Sequence, residues 1–242
     1  MVQIMTAAEA KKLILENTSV IDATEEVELK NSLGRACAKN IICPINVPSH
    51  INSAMDGYAI NLDNARERQT SASLWDRVPE KIKIIGKATA GNPYSGNFNQ
   101  NAAIQIMTGA VVPKGYDTVV INEDVSVSNG NLIIKEFPNK GDNIREAGED
   151  LEKGEACINK HKMLTAADLG LLASIGISKI NVFRKPKVAI FSTGDEIKNP
   201  NESLSIGQIY DSNRFSLAGM LQKIGVEIID LGIIPDDPVM LK

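Results

Sequence analysis

Lys187-Val188-Ala189-Ile190-Phe191-Ser192 opens the stretch that decides the fold, and a polar loop follows it from Thr193-Gly194-Asp195-Glu196 to Gly207-Gln208-Ile209-Tyr210-Asp211-Ser212. Next come Asn213 to Ile224 and Val226 to Leu231. The first and last of these are short apolar runs of strand length. Between them Phe215, Ala218, Leu221 and Ile224 recur at the spacing of one helix face, and Gly225 supplies a stop. Strand, helix and strand in that order predict a βαβ unit with parallel strands. Parallel-sheet folds bind ligands beyond the carboxyl ends of their strands, and helix N-termini favour anions. Thr193 to Glu196 and Asp211 to Asn213 are therefore the first candidate loops. Two strands and one helix cannot cover both faces of a parallel sheet, so the unit is expected to need further chain or a partner. Asp236 or Asp237 before Pro238 reads as the start of another helix, which leads us to expect a portion of a longer protein.

Working outward, Thr165-Ala166-Ala167-Asp168 predicts a capped helix carrying Leu169, Leu172, Ala173 and Ile175, stopped by Gly176 and followed by a strand at Lys179 to Phe183. The N-terminus has the same texture. Thr6-Ala7-Ala8-Glu9 forms a capping box ahead of a helix with Leu13 and Ile14 on one face, Glu25 to Leu29 alternates as a strand, and Ser32 to Arg35 reads as a short helical turn. Between these flanks lie short β patterns at Ile82 to Ala88, Ala102 to Met107, Thr118 to Asn122, Val125 to Val127 and Leu132 to Lys135, with Asn129-Gly130 as a hairpin turn. Periodicity leaves 62–79 open between helix, insertion and loop.

Composition narrows the function classes. The 242 residues carry 26 basic and 30 acidic side chains, a net charge of -4, which excludes a basic nucleic-acid coat. One Trp, four Tyr and five Phe are too few for a base-stacking platform. No window nears the ~18 apolar residues of a membrane span and no signal-peptide core is seen, so the cytoplasm is the expected compartment. Cys37, Cys43 and Cys157 lack Cys-x-x-Cys spacing, and with only two histidines a structural zinc site is not expected; the cysteines read as small apolar core residues.

Four motifs combine glycine with acidic or hydroxyl groups. Asn52-Ser53-Ala54-Met55-Asp56-Gly57 reads as a turn or as a site. Met107-Thr108-Gly109-Ala110 reads as a tight bend or as a source of backbone donors for an oxyanion. Arg145-Glu146-Ala147-Gly148-Glu149-Asp150 alone is a solvated turn, and the fourth motif is the pair of loops in the βαβ unit.

Together, and in this order, these motifs resemble the MoeA family, the molybdopterin molybdenumtransferases related to the C-terminal part of gephyrin. Ser32-Leu33-Gly34-Arg35, Val112-Pro113-Lys114-Gly115-Tyr116-Asp117 and Leu231-Gly232-Ile233-Ile234-Pro235-Asp236-Asp237-Pro238 extend the likeness over essentially the whole chain. The resemblance implies an α/β and β multidomain fold: an elongated discontinuous α+β domain (1–47 with 141–184), an inserted small β domain (48–140) and part of a MogA-like three-layer α/β domain (185–242). It implies a homodimer that inserts molybdate into adenylylated molybdopterin and releases AMP, with Mg2+ as cofactor and a MogA-like adenylyltransferase as pathway partner. It places the catalytic residues at Asp56, Thr108, Asp150, Glu196 and Asp211, cofactor contacts at Thr193, Gly194, Asp195, Ser212 and Asn213, and the metal at Glu196 and Asp211. Physically, carboxylates facing anionic phosphate and molybdate require a hard cation between them. His50 and Ile51 replace an aromatic and an acid usual in the family, and its arginine-rich run is thinned to Arg145. Further family motifs would lie past Lys242, so the 242-residue chain alone is not expected to complete a turnover. The alternative class is a gephyrin-like scaffold; a generic nucleotide binder is disfavoured by the lack of a Walker lysine loop or Gly-x-Gly-x-x-Gly fingerprint.

Overall fold

Alternating apolar residues carry the middle of the chain into a six-stranded sheet. In the computed structural model, which describes residues 5–70 and 81–237, its strand order is Thr118–Ile121, Gly57–Ile60, Ala102–Ile106, Ile82–Ala88, Asn131–Ile134, Val125–Ser128. Only Ile82–Ala88 and Ala102–Ile106 run parallel; the other neighbours are antiparallel. The hairpin at Asn129-Gly130 has positive φ at both residues (50° and 73°), as the primed turn requires.

This sheet is covered on both faces. Tyr58 and Ile60 join Ile82, Val120 and Leu132 in one apolar cluster, while Ala59 joins Ile104, Ile106 and Val119 in another, because successive side chains point to opposite faces. Gly57–Ile60 is thus buried throughout, and with no polar alternation to betray it the sequence reading missed it as a strand. Part of the undecided 62–79 is a helix, Leu62–Thr70, whose Leu62 N–H donates to Asp117 Oδ1 at 2.9 Å. Residues 71–79 lie outside the described residues, as does the expected helical start at Pro238.

The chain divides into two compact units, residues 42–157, which hold this sheet, and residues 1–41 together with 158–242. In the second unit Thr24–Glu28 pairs antiparallel with Lys179–Phe183, which brings the two flanks of the chain together. The helical turn expected at Ser32 to Arg35 forms three residues earlier, at Leu29–Asn31, with the Ser32 hydroxyl donating back to Leu29 O at 2.7 Å, while 32–35 is a turn closed by Arg35 N–H on Ser32 O. Both expected capping boxes are present, Thr6 with Glu9 before Ala7–Glu16 and Thr165 with Asp168 before Ala166–Ser174. The latter helix closes with Ile177 N–H on Leu172 O and Gly176 N–H on Ala173 O. Cys37 and Cys43 are buried and Cys157 is half-buried, as small core residues would be.

Asp168 is a buried carboxylate that also takes Lys162 Nζ, and the Lys162 bond, followed by the Thr165 backbone N–H, holds it below the usual carboxylate value against burial. A depressed folded value gives stability above the unfolded value of roughly 4, lost as pH falls through the lower folded one. Asp168→Asn is therefore expected to flatten the acid-side loss of stability below roughly pH 4. Thr165→Ala is expected to cost about 1 kcal/mol at neutral pH. Urea unfolding at pH 3 and pH 7 checks both.

The βαβ unit forms as expected. Lys187–Thr193 runs parallel to Glu227–Ile234, and the helix Asn213–Lys223 packs on both strands. The expected helix face is only partly used: Ala218 and Leu221 are half-buried, whereas Phe215 and Ile224 are 54% and 69% exposed. A two-stranded sheet is too narrow to cover the whole stripe. The buried residue of this helix is instead Arg214, 7% exposed. Among the described residues no helix is long and apolar enough to cross a membrane.

Candidate functional site

The sequence candidates fall into two clusters, one in each compact unit. In the β unit, the two-residue strand Asn52–Ser53 pairs with Ile144–Arg145, and Asn52 also bridges to Val111. Ser53 O accepts from Gly109 N–H at 2.8 Å, and Ser53 N–H donates to Ala110 O at 2.9 Å. These bonds fix the loop after Ser53 against the loop after Met107. Asp56 and Thr108 meet there: the Thr108 N–H and hydroxyl both donate to Asp56 Oδ1, each at 2.7 Å. The two donors, the N–H foremost, hold the exposed Asp56 carboxyl below its usual value. Thr108 N–H is spent on Asp56, Gly109 N–H on Ser53 O and Ala110 N–H on Met107 O, so of the two readings of this motif the structure shows the tight bend, with Gly109 at φ +77°.

Asp150 joins the same region through a neighbour. Arg145 Nη2 donates to Asp150 Oδ1 at 2.7 Å, and its Nε lies 3.5 Å from Glu149. The acids hold the Arg145 guanidinium above its ordinary value, Asp150 contributing most. Asn52 Oδ1, one strand away, is buried and accepts no hydrogen bond.

In the α/β cluster, Ile197–Lys198 pairs parallel with Ile209–Tyr210, joining the two candidate loops. Gly194 is buried at φ +143°, a backbone conformation that favours glycine, and the exposed Glu196 carboxylate lies over it, where a Cβ would come 2.7 Å from Oε2. Thr193, Asp195, Glu196, Ser212 and Asn213 are exposed. A cavity of about 270 Å3 lies among Ser192, Thr193, Ile197, Tyr210, Asp211 and Asn213. A larger cavity of about 400 Å3, lined by Val20, His161, Phe183 and Ile224 among others, contains none of the candidates and no carboxylate.

Asp211 behaves unlike the other acids. It is 4% exposed, its Oδ1 accepts from Ser192 Oγ (3.0 Å) and Arg214 N–H (3.2 Å), and its Oδ2 accepts from Arg214 Nε (2.7 Å). Asp211 thereby caps the helix in place of Ser212, whose side chain makes no cap bond. Burial pushes the Asp211 carboxyl up, yet the Arg214 side-chain and backbone bonds, Ser192 and the Arg214 charge together outweigh it and leave the carboxyl below its usual value.

The donor sets bear on a divalent cation. Among the described residues no three His, Cys, Asp or Glu side chains group into a cation cage. Magnesium needs only one or two carboxylates beside substrate phosphates and water, so the test is which carboxylates are open. Glu196 fits, exposed and poised on its turn; Asp56 keeps Oδ2 clear of Thr108; both Asp211 oxygens are already taken by Arg214 and Ser192. Arg214, Asp230 and Asn199, which build this end of the unit, escaped the sequence reading because an arginine in the first turn of a helix ordinarily signals a solvated face.

Comparison with known proteins comes down on one family. Residues 5–176 match the family described as MoeA N-terminal region (domain I and II), and residues 189–242 match the probable molybdopterin binding domain. A molybdopterin molybdenumtransferase of Haemophilus influenzae is 39% identical over 234 residues, 96% of this chain and 55% of the relative. Gephyrin of Dictyostelium discoideum is 33% identical over 250 residues, 97% of this chain and 35% of that protein. The crystal structure of the molybdopterin biosynthesis MoeA protein from Pyrococcus horikoshii OT3 superposes with a TM-score of 0.85 at 31% identity, covering 99% of this chain and 62% of that one. The chain spans about half the length of the curated molybdenumtransferases it matches.

Proposed function

The chain belongs to the MoeA family, and from that premise we propose that it serves molybdenum cofactor biosynthesis in the cytoplasm, as the substrate-binding portion of a homodimeric molybdopterin molybdenumtransferase. The substrates on this reading are adenylylated molybdopterin, supplied by a MogA-like adenylyltransferase, and molybdate; the products are molybdenum cofactor and AMP. The observation that carries it is the Asp56–Thr108 clasp. Two motifs 52 residues apart are folded so that one carboxylate is held ionised and oriented by two donors.

The roles follow from the geometry of each cluster. Thr193, Ser212 and Asn213 line the cavity and offer hydroxyl, amide and helix N-terminal donors to a phosphate, while the Glu196 carboxylate lies over Gly194, next to Thr193 in the chain. Glu196 would hold Mg2+ there, with Asp195 near at hand and Asp56 supplying the oriented carboxylate of the other cluster. When bound, the cation supplies charge neutralisation and Lewis-acid polarisation of the phosphoryl oxygens. Asp150, paired with an Arg145 that it shares with Glu149, orders its loop. Asp211 holds the loops in place.

Titration of the chain with adenylylated molybdopterin tests this. With magnesium present, Glu196→Ala is expected to weaken binding about tenfold, and after chelation of the metal the variant and the parent should bind alike. Equal loss with and without metal would remove Glu196 from the cation's coordination, and absence of binding by the parent chain would remove the proposed function itself. Sedimentation equilibrium checks the dimer.

A further inference from the structure

Arg214 spends all three of its guanidinium nitrogens inside the α/β unit. Nε donates to Asp211 Oδ2 at 2.7 Å, Nη1 to Asp230 Oδ1 at 2.6 Å, and Nη2 to Asn199 Oδ1 at 3.0 Å. These partners come from three different segments: the loop before the helix, the strand Glu227–Ile234, and the loop after Ile197–Lys198. Through Asp211 the network reaches Ser192 at the end of the first strand, and Asp211 N–H is bonded to Lys198 O at 2.9 Å.

An arginine at a phosphate site would ordinarily be assigned to grip the anion. The charges here argue otherwise. Two carboxylates, Asp211 and Asp230, face one guanidinium that is 7% exposed, so the trio is net negative and retains no positive charge for a ligand. The network's effect must therefore be geometric. Directly between the two loops the backbone pairing is two residues long, Ile197–Lys198 with Ile209–Tyr210, too short a ladder to fix the cavity wall by itself.

We infer that Arg214 is a positioning residue for the molybdopterin-binding loops, holding 192–197 and 209–213 in register through Asp211 while Asp230 and Asn199 anchor it from behind. This rests on the proposed function for the identity of the ligand, but not for the positioning itself. A guanidinium fork fixes three directions at once, which a lysine ammonium cannot do. Arg214 itself lines the cavity whereas Asp230 and Asn199 do not, so Asp230→Asn leaves every lining side chain in place and acts on the loops through Arg214.

The test uses Asp230→Asn and Arg214→Lys in the 242-residue chain, with Leu172→Ala as a control that removes a fully buried side chain from the helix Ala166–Ser174. Amide hydrogen exchange in the ligand-free chain and titration with molybdopterin are measured at a temperature where all three variants remain folded. Exchange in 192–197 and 209–213 should rise about tenfold in both network variants and not in the control, and molybdopterin affinity should fall about tenfold with the same selectivity. Unchanged loop exchange in the network variants would overturn the inference, as would equal loop exchange in Leu172→Ala. Failure of the unmodified chain to bind molybdopterin would overturn the proposed ligand, while the exchange result would still decide whether Arg214 positions the loops.

Discussion

Gly57→Ala is expected to destabilise the β unit by about 3 kcal/mol, the upper end of what overpacking costs. The added Cβ would lie 2.0 Å from Val120 O and 2.9 Å from Val120 C, deep inside van der Waals contact with the backbone of the neighbouring strand. Gly57 is paired with Ile106 on one side and Ile121 on the other, so the strand cannot step sideways without parting from a ladder partner. Where a core substitution meets a side chain, a rotamer change relieves it. Here the obstacle is main chain, and relief means stretching hydrogen bonds worth about 1 kcal/mol each. Gly130→Ala provides the comparison: its Cβ meets nothing within 4 Å, and its cost of about 1 kcal/mol comes solely from the positive φ of 73°. Urea unfolding of the two variants separates the effects, and a loss below about 1 kcal/mol at Gly57 would contradict the packing described for this strand. Because Asp56 precedes Gly57 and its carbonyl accepts from Asn122 N–H at 3.3 Å, the same variant should also disturb the clasp with Thr108.

The contrast between these glycines explains much of what could be read from the sequence. Asn129-Gly130 is a local device: both residues adopt positive φ whatever surrounds them, so the dipeptide alone announces the hairpin. Thr6 with Glu9 and Thr165 with Asp168 are local in the same way, since a hydroxyl and a carboxylate three residues apart satisfy each other's backbone donors. The βαβ unit was visible because two apolar runs flank a helix period. Gly57–Ile60 was not, because burial on both faces erases alternation, and what demands glycine at 57 is a carbonyl 63 positions later in the chain (120 against 57). The candidate acids divide along the same line. Asp56 and Thr108 were marked by motif and then found in contact, yet nothing local distinguished the open Glu196 carboxylate from the fully engaged Asp211. That distinction depends on Arg214, whose burial follows from Asp230 on a later strand and Asn199 on an earlier loop.

Arg214→Met is expected to cost the α/β unit about 3 to 4 kcal/mol at neutral pH, the range for removing one partner of a buried ion pair. The methionine roughly preserves the aliphatic volume but leaves Asp211, 4% exposed, with Ser192 as its remaining side-chain donor. Burial, the largest influence on that carboxylate, is then opposed only by the Ser192 hydroxyl and the residue-214 N–H, and its folded pKa should move from below the usual carboxylate value to above it. The pH dependence of stability inverts accordingly. With Arg214 present, the Asp211 contribution is full above the unfolded value of roughly 4 and is lost as pH falls through the lower folded one. With Arg214 removed, the folded value lies above the unfolded one, so the variant is least handicapped in acid and loses stability as pH rises through its new folded value. Arg214→Met should accordingly fall short of the parent by more at pH 8 than at pH 5 in urea unfolding followed by circular dichroism. Pairing it with Asp211→Asn removes the stranded charge and should recover about half of the loss, together with most of its pH dependence. No recovery in the double variant alongside a pH-independent loss in the single one would mean that shape rather than charge sets the cost. A single variant as stable as the parent at both pH values would show that Asp211 reaches water and that the network does not hold these loops.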